Sequence, residues 1–145
     1  MSFTNTLPII VDCDRCKLIN ATNNVSLQTL SLYRDTSYSV SANCYSDYTG
    51  VNIVDLSNVA SYIASVGNIY GSNAAPVITI SSGFGGTPSS GILTFTIPTD
   101  GSTLATDMGN SSSSNYTFEI WAYSNSHSVL INQSNMVIKN ITVEP

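Results

Sequence analysis

From Ser37 to Cys44 the chain alternates without a break, with Tyr38, Val40, Ala42 and Cys44 on one side and Ser37, Ser39, Ser41 and Asn43 on the other. A two-residue repeat sorts side chains this way only in an extended strand, and such a strand must lay its apolar side against a second layer. Two further segments repeat the pattern. Leu93, Phe95 and Ile97 alternate with Thr94 and Thr96 before Pro98 ends the run, and Tyr116, Phe118, Ile120 and Ala122 alternate with Thr117, Glu119, Trp121 and Tyr123. The last segment is apolar on both sides at its centre. That pattern suits a central strand, or one whose Trp121 side is covered by a partner.

Shorter strand candidates are Leu7–Val11, Val25–Leu30 and Val77–Ile80, and in the tail Ser128–Asn132 and Met136–Val143, with Asn132–Asn135 read as a hairpin turn between them. Leu56, Val59, Ala60, Ile63 and Val66 recur at spacings of three and four. They suit a short helix capped by Asp55 or Ser57, and equally a strand with a bulge. Thr103–Met108 suits one helical turn. The Gly- and Ser-rich stretches Ser81–Gly91 and Gly109–Asn115 read as mobile loops. Residues 1–24 read as an N-terminal arm with one strand, able to dock on a neighbouring subunit, and residues 25–145 as the sandwich itself. The predicted fold is therefore an all-β, immunoglobulin-like antiparallel sandwich with one or two helical turns.

The polar side of this chain is unusual. It holds 24 Ser, 15 Thr and 15 Asn, against only 9 % charged residues and a net charge of −5. These short neutral groups bond readily to nearby backbone and favour strands' edges and turns over helix interiors. Four Lys and Arg together cannot build the basic stripe that nucleic acid or an anionic membrane surface requires. No apolar run is long enough for a spanning helix, and Met1–Pro8 lacks the basic and apolar parts of a signal peptide. No nucleic-acid or membrane partner is expected.

Chemistry-bearing clusters are few. Asp12-Cys13-Asp14-Arg15-Cys16 carries two thiols at the spacing of a metal knuckle or redox pair. A four-ligand metal site would have to recruit Cys44 and His127, which no spacing supports, so structural thiols are the expectation. His127 lies between serines without a nucleophile motif. Glu119 lacks the second carboxylate that glycoside hydrolysis uses. Gly83-Phe84-Gly85-Gly86 lacks the lysine and helix of a phosphate cradle. Asp47, Asp100 and Asp107 do not follow a calcium-loop spacing. The chain is thus expected to be no enzyme, with no cofactor and no metal. Trp121, Tyr123, Tyr45 and Tyr48 are the candidate binding residues, as a protein interface or as a sugar platform.

Several segments carry a resemblance. Leu32-Tyr33-Arg34-Asp35-Thr36 followed by the strand to Cys44, then Val54-Asp55-Leu56-Ser57, Gly91–Pro98, Asn115–Ile120 and the closing Met136–Pro145 segment resemble the immunoglobulin-like domains of tailed-phage virion proteins. These include head-decoration proteins and the N-terminal domain of baseplate upper proteins. The resemblance implies a non-enzymatic virion protein, a homo-oligomer partnered by other virion proteins. It would be a capsid decoration, cement or fibre-base protein, with a tail baseplate or fibre-adaptor subunit as the alternative. Outside that resemblance, a carbohydrate-binding module competes.

Overall fold

The computed structural model describes residues 4–19, 29–46, 52–67, 75–125 and 127–140. Among these described residues, ten strands form two five-stranded sheets. The first runs, in spatial order, β2 (Lys17–Ile19), β1 (Thr4–Asp12), β4 (Ser37–Tyr45), β8 (Ile92–Pro98) and β7 (Gly85–Thr87). The second runs β3 (Leu30–Tyr33), β10 (His127–Lys139), β9 (Ser113–Ser124), β5 (Ser61–Gly67) and β6 (Ile78–Ile80). One helix, α1 (Ser102–Met108), joins β8 to β9. The placing of β4, β8 and β7 on one sheet and β10, β9, β5 and β6 on the other is the strand order of an immunoglobulin-type sandwich.

The inward residues of both sheets form one core, including Val40, Ala42, Leu93, Phe95 and Ile97 from the first and Leu32, Val66, Tyr116, Phe118, Ile120 and Ile138 from the second. A ladder of tilted rings crosses it. Tyr62 lies 5.4 Å from Phe84, Phe84 lies 5.4 Å from Phe95, and Phe95 lies 6.3 Å from Phe118 between centroids. Each such ring, taken from water into a packed interior, contributes about 1.5–3 kcal/mol, and ring pairs at these separations add to it.

Several expectations give way here. The sheets are mixed rather than antiparallel, because β1 runs parallel to β4 and β3 parallel to β10. Alternation looks the same in either direction, and both pairs join segments far enough apart in sequence for a crossover. Residues 4–19 are not a separate arm. β1 pairs with β4 along its whole length, and Ile9, Val11 and Leu18 belong to the core. Leu56–Val66 takes its strand alternative as β5, preceded by a turn in which Asp55 Oδ1 accepts the Ser57 amide at 2.9 Å. Ser81–Gly91 is ordered, with Phe84 inserted between Tyr62 and Phe95, β7 paired to β8, and a 3-10 turn at Pro88–Ser90. The expected turn at Asn132–Asn135 is absent: β10 is continuous and carries a bulge at Ile131, between Leu130 and Asn132. Gly109–Asn115 was read as a loop, but Ser113–Asn115 already belong to β9. Most of Val25–Leu30 lies outside the described residues.

The turn at Arg34-Asp35-Thr36 and the corner at α1 are structural. Thr99 is buried, its hydroxyl 2.7 Å from Tyr33 O and accepting the Thr36 amide at 3.0 Å, while Asp35 adopts a left-handed φ of 62°. At the corner, Leu104 and Met108 drop one face of α1 into the core, and the Tyr116 hydroxyl donates to Asp107 Oδ2 at 2.5 Å. Tyr116 stands where such sandwiches carry a corner tyrosine, but it bonds to a side-chain carboxylate and not to backbone.

Candidate interaction surface on the second sheet

Because inward residues on β9 are even-numbered, Thr117, Glu119, Trp121 and Tyr123 point outward. The register then builds rows across three strands. Trp121 lies between Ile63 of β5 and Leu130 of β10, Tyr123 between Ser61 and Ser128, Glu119 between Ser65 and Gln133, and Thr117 between Gly67 and Asn135. The two sheets face each other and α1 belongs to the core, so no described element is layered on this outer face. The Ile63–Trp121–Leu130 row is half-buried by its own neighbours, whereas Val129, 57 % exposed, pairs with Ala122 and has the opposite parity.

The polar groups of the row below are already engaged. Glu119 Oε1 accepts the Trp121 indole N–H at 3.2 Å, and Oε2 accepts the Gln133 amide at 2.8 Å. The carboxylate thereby fixes the tilt of the indole and uses both its oxygens within the sheet. The first sheet's outer face contrasts with this. Across β4 and β8 it presents Ser39, Ser41, Asn43, Thr94 and Thr96, with half-buried Ile92 and, on β1, Ile10 on either side of Asn43.

The candidate residues divide accordingly. Trp121 and Tyr123 share the second sheet's outer face. Tyr45 stands at the end of β4 with the opposite parity to Cys44, on the outer side of the first sheet, so the sandwich separates it from Trp121. Tyr48 lies outside the described residues, as does Asp47. Ile63 and Leu130 were missed as surface residues. Their signal was parity, since Ile63 alternates against Tyr62, Ala64 and Val66 once the segment is read as a strand.

The Asp12–Cys16 motif is a hairpin tip. Asp12 is buried, its Oδ1 accepts the amides of Asp14 (3.0 Å) and Arg15 (3.3 Å), and its Oδ2 accepts Arg15 Nε at 2.6 Å. Cys16 takes a left-handed φ of 57°, and its thiol donates to Leu130 O at 3.1 Å. Lys17 Nζ donates to Gln133 O at 2.7 Å and the Gln133 amide to Cys16 O at 2.8 Å, so the β1–β2 hairpin clasps the bulged part of β10 and closes that side of the sandwich. Among the described residues no three His, Cys, Asp or Glu side chains converge as a metal would require. His127 is exposed at the start of β10.

No family model matches the chain, and no curated protein matches it. Among solved structures, the N-terminal domain of phage TP901-1 ORF48 is similar with a TM-score of 0.46 and 8 % identity, over 97 % of this chain and 99 % of that one. An inclusion body protein (PixA) from Burkholderia cenocepacia J2315 is similar with a TM-score of 0.32 and 11 % identity, over 97 % of each chain.

Proposed function

We propose that this chain is a structural subunit of a tailed-phage particle, held there by a protein neighbour seated on the outer face of its second sheet. The supporting observation is the Ile63–Trp121–Leu130 row. Covering three half-exposed apolar side chains is worth on the order of 1 kcal/mol each. Glu119 has hydrogen bonds to both its oxygens but no cationic partner inside the chain, so a partner covering it must leave it at the wet rim or bring a Lys or Arg to it. An apolar centre holding one tryptophan, ringed by neutral polar groups, matches the core-and-rim pattern of protein interfaces. A protein partner is favoured over a sugar because Tyr45 lies across the sandwich from Trp121 and cannot share a stacking platform with it.

The phage assignment rests on the sequence resemblance. Within the particle we place the subunit on the head, as a decoration or fibre-base protein, with the tail baseplate as the competing location. The test is co-sedimentation of tagged protein with purified heads and, separately, with tails. Wild type is expected to sediment with heads. A Trp121→Arg variant with an unchanged circular dichroism spectrum is expected to lose at least tenfold in retention. Equal retention of the variant would overturn the docking face. Sedimentation with tails alone would overturn the head placement, and specific binding to a glycan array would overturn the protein partner.

A further inference from the structure

The parallel pairing of β1 with β4 does more than close a sheet, because it brings two thiols together. Val11 lies beside Cys44 and Asp12 beside Tyr45, and the Cys13 amide donates to Tyr45 O at 2.8 Å. Cys13 therefore stands one step diagonally from Cys44, on the same inward side as Val11. Cys44 is 1 % exposed, and half-buried Cys13 packs against the core beside it. Both are free thiols, and the neighbouring Cys44 is the leading cause that holds the proton on Cys13. Cys16, although only three positions from Cys13, turns its thiol away to Leu130 O.

We propose that Cys13 and Cys44 are a disulfide-forming pair that, on meeting a low-molecular-weight disulfide, staples the N-terminal hairpin to β4. The half-buried Cys13 is the entry thiol. Its thiolate attacks the external disulfide and expels one thiolate of it, leaving a mixed disulfide on Cys13. The Cys44 thiolate then attacks the Cys13 sulfur and expels the second. The protein loses two protons and two electrons, and one external disulfide gains them to become two thiols. Two adjacent cysteines can also be mere small apolar residues. This pair differs in geometry: the chain between them is about thirty residues long, and the ladder sets Cys13 one diagonal step from Cys44 on the core side, the placement from which closure of the hairpin can bring the sulfurs to the ~2 Å of an S–S bond. The neighbouring Cys44 and burial both hold the proton on Cys13, so exchange quickens as pH rises.

The sequence offers a clean assay. Trypsin cuts after Arg15, Lys17, Arg34 and Lys139, which places Cys13, Cys16 and Cys44 in three different peptides. Reduced full-length protein is incubated with oxidised glutathione, alkylated, digested and mapped, and its melting is compared before and after. The expected product joins peptide 1–15 to peptide 35–139, in wild type and in Cys16→Ser alike. Tm should rise on the order of 5–10 °C and fall back with dithiothreitol. Cys13→Ser should show neither the link nor the rise, and it alters the less buried partner, so it is the variant expected to stay folded. Linkage of Cys13 to Cys16, full alkylation of Cys44 after oxidation, or a linked protein with unchanged or lower Tm would each overturn the proposal. None of these readouts depends on the docking face.

Discussion

Replacing Tyr116 by Phe isolates one hydroxyl in an otherwise intact core. The ring is 1 % exposed and stays in place in the variant, so the change removes only the 2.5 Å bond to Asp107 Oδ2 that ties the start of β9 to α1. A hydrogen bond to a charged group contributes about 1.5–3 kcal/mol. Asp107 is exposed and regains water when the hydroxyl goes, so the loss should sit near the lower end, about 1–2 kcal/mol. For a chain of this size that is a drop in Tm of roughly 3–6 °C and in urea midpoint of about 0.5–1 M. The pH dependence supplies an independent check. Burial first, then the bond to Asp107, hold the Tyr116 proton on well above the ordinary tyrosine range. With the folded pKa raised, this stabilisation is fully present below about pH 10 and is lost as pH climbs toward the folded value, by at most about 1.4 kcal/mol per pH unit. Tyr116→Phe lacks that dependence, so the gap between the two proteins should narrow above pH 10. A double-mutant cycle with Asp107→Asn should return a coupling of about 1 kcal/mol. Coupling within about 0.3 kcal/mol of zero, or a gap that widens with pH, refutes the corner as a stabilising device.

Gly91 has φ 71°, and a Cβ there would meet Ile53 Cγ2 at 2.6 Å and the carbonyls of Cys44 and Val54 at 2.8 Å. Gly91→Ala should cost about 3 kcal/mol or more, whereas Gly109→Ala, with φ 55° but open space, should cost only about 1 kcal/mol. Equal urea midpoints for the two variants would contradict this. Asp12→Ala removes three hydrogen bonds from a buried carboxylate and should lower stability by about 3 kcal/mol. Asp12→Asn keeps the Oδ1 acceptor and should lose about half as much, since Arg15 is exposed and an ion pair with an exposed partner contributes little.

The strands legible in the sequence are those with one face in the core and one in water. β4 and most of β8 obey alternation because their outward positions are free to be Ser, Thr or Asn, and β9 is legible from its inward Tyr116, Phe118, Ile120 and Ala122 although Trp121 and Tyr123 stand outward. Legibility fails where tertiary context sets the structure. Nothing local in Leu7–Val11 says that β1 will pair with β4 rather than stand apart, because that pairing is decided by the partner strand. Ser81–Gly91 reads as a loop by composition, yet one buried ring, Phe84, anchors it. Asn132–Asn135 reads as a turn by residue type, yet the neighbouring β9 supplies a continuous ladder, and the irregularity shrinks to a single extra residue at Ile131. The same limit applies to the surface. Trp121 and Tyr123 were visible as outward aromatics, while their separation from Tyr45 depends on which sheet each strand joins.

That assignment of strands to sheets is what gives the molecule two unlike sides. A sandwich whose outer faces were both neutral and short would have no preferred orientation on a neighbour. Here the centre of the first sheet's face, Ser39, Ser41, Thr94 and Thr96, can satisfy its hydroxyls with water and gains little from being covered, and apolar Ile10 and Ile92 lie at one end. The Ile63–Trp121–Leu130 face gains apolar burial, provided Glu119 beside it stays at the wet rim or meets a cation. In the proposed docking, the difference between the two faces, more than the size of either, would set the direction. Moving it therefore requires a change on the second sheet: a charge at Ile63 or Leu130 should act as Trp121→Arg does, while a charge at Ser41 or Thr94 should leave particle retention unchanged.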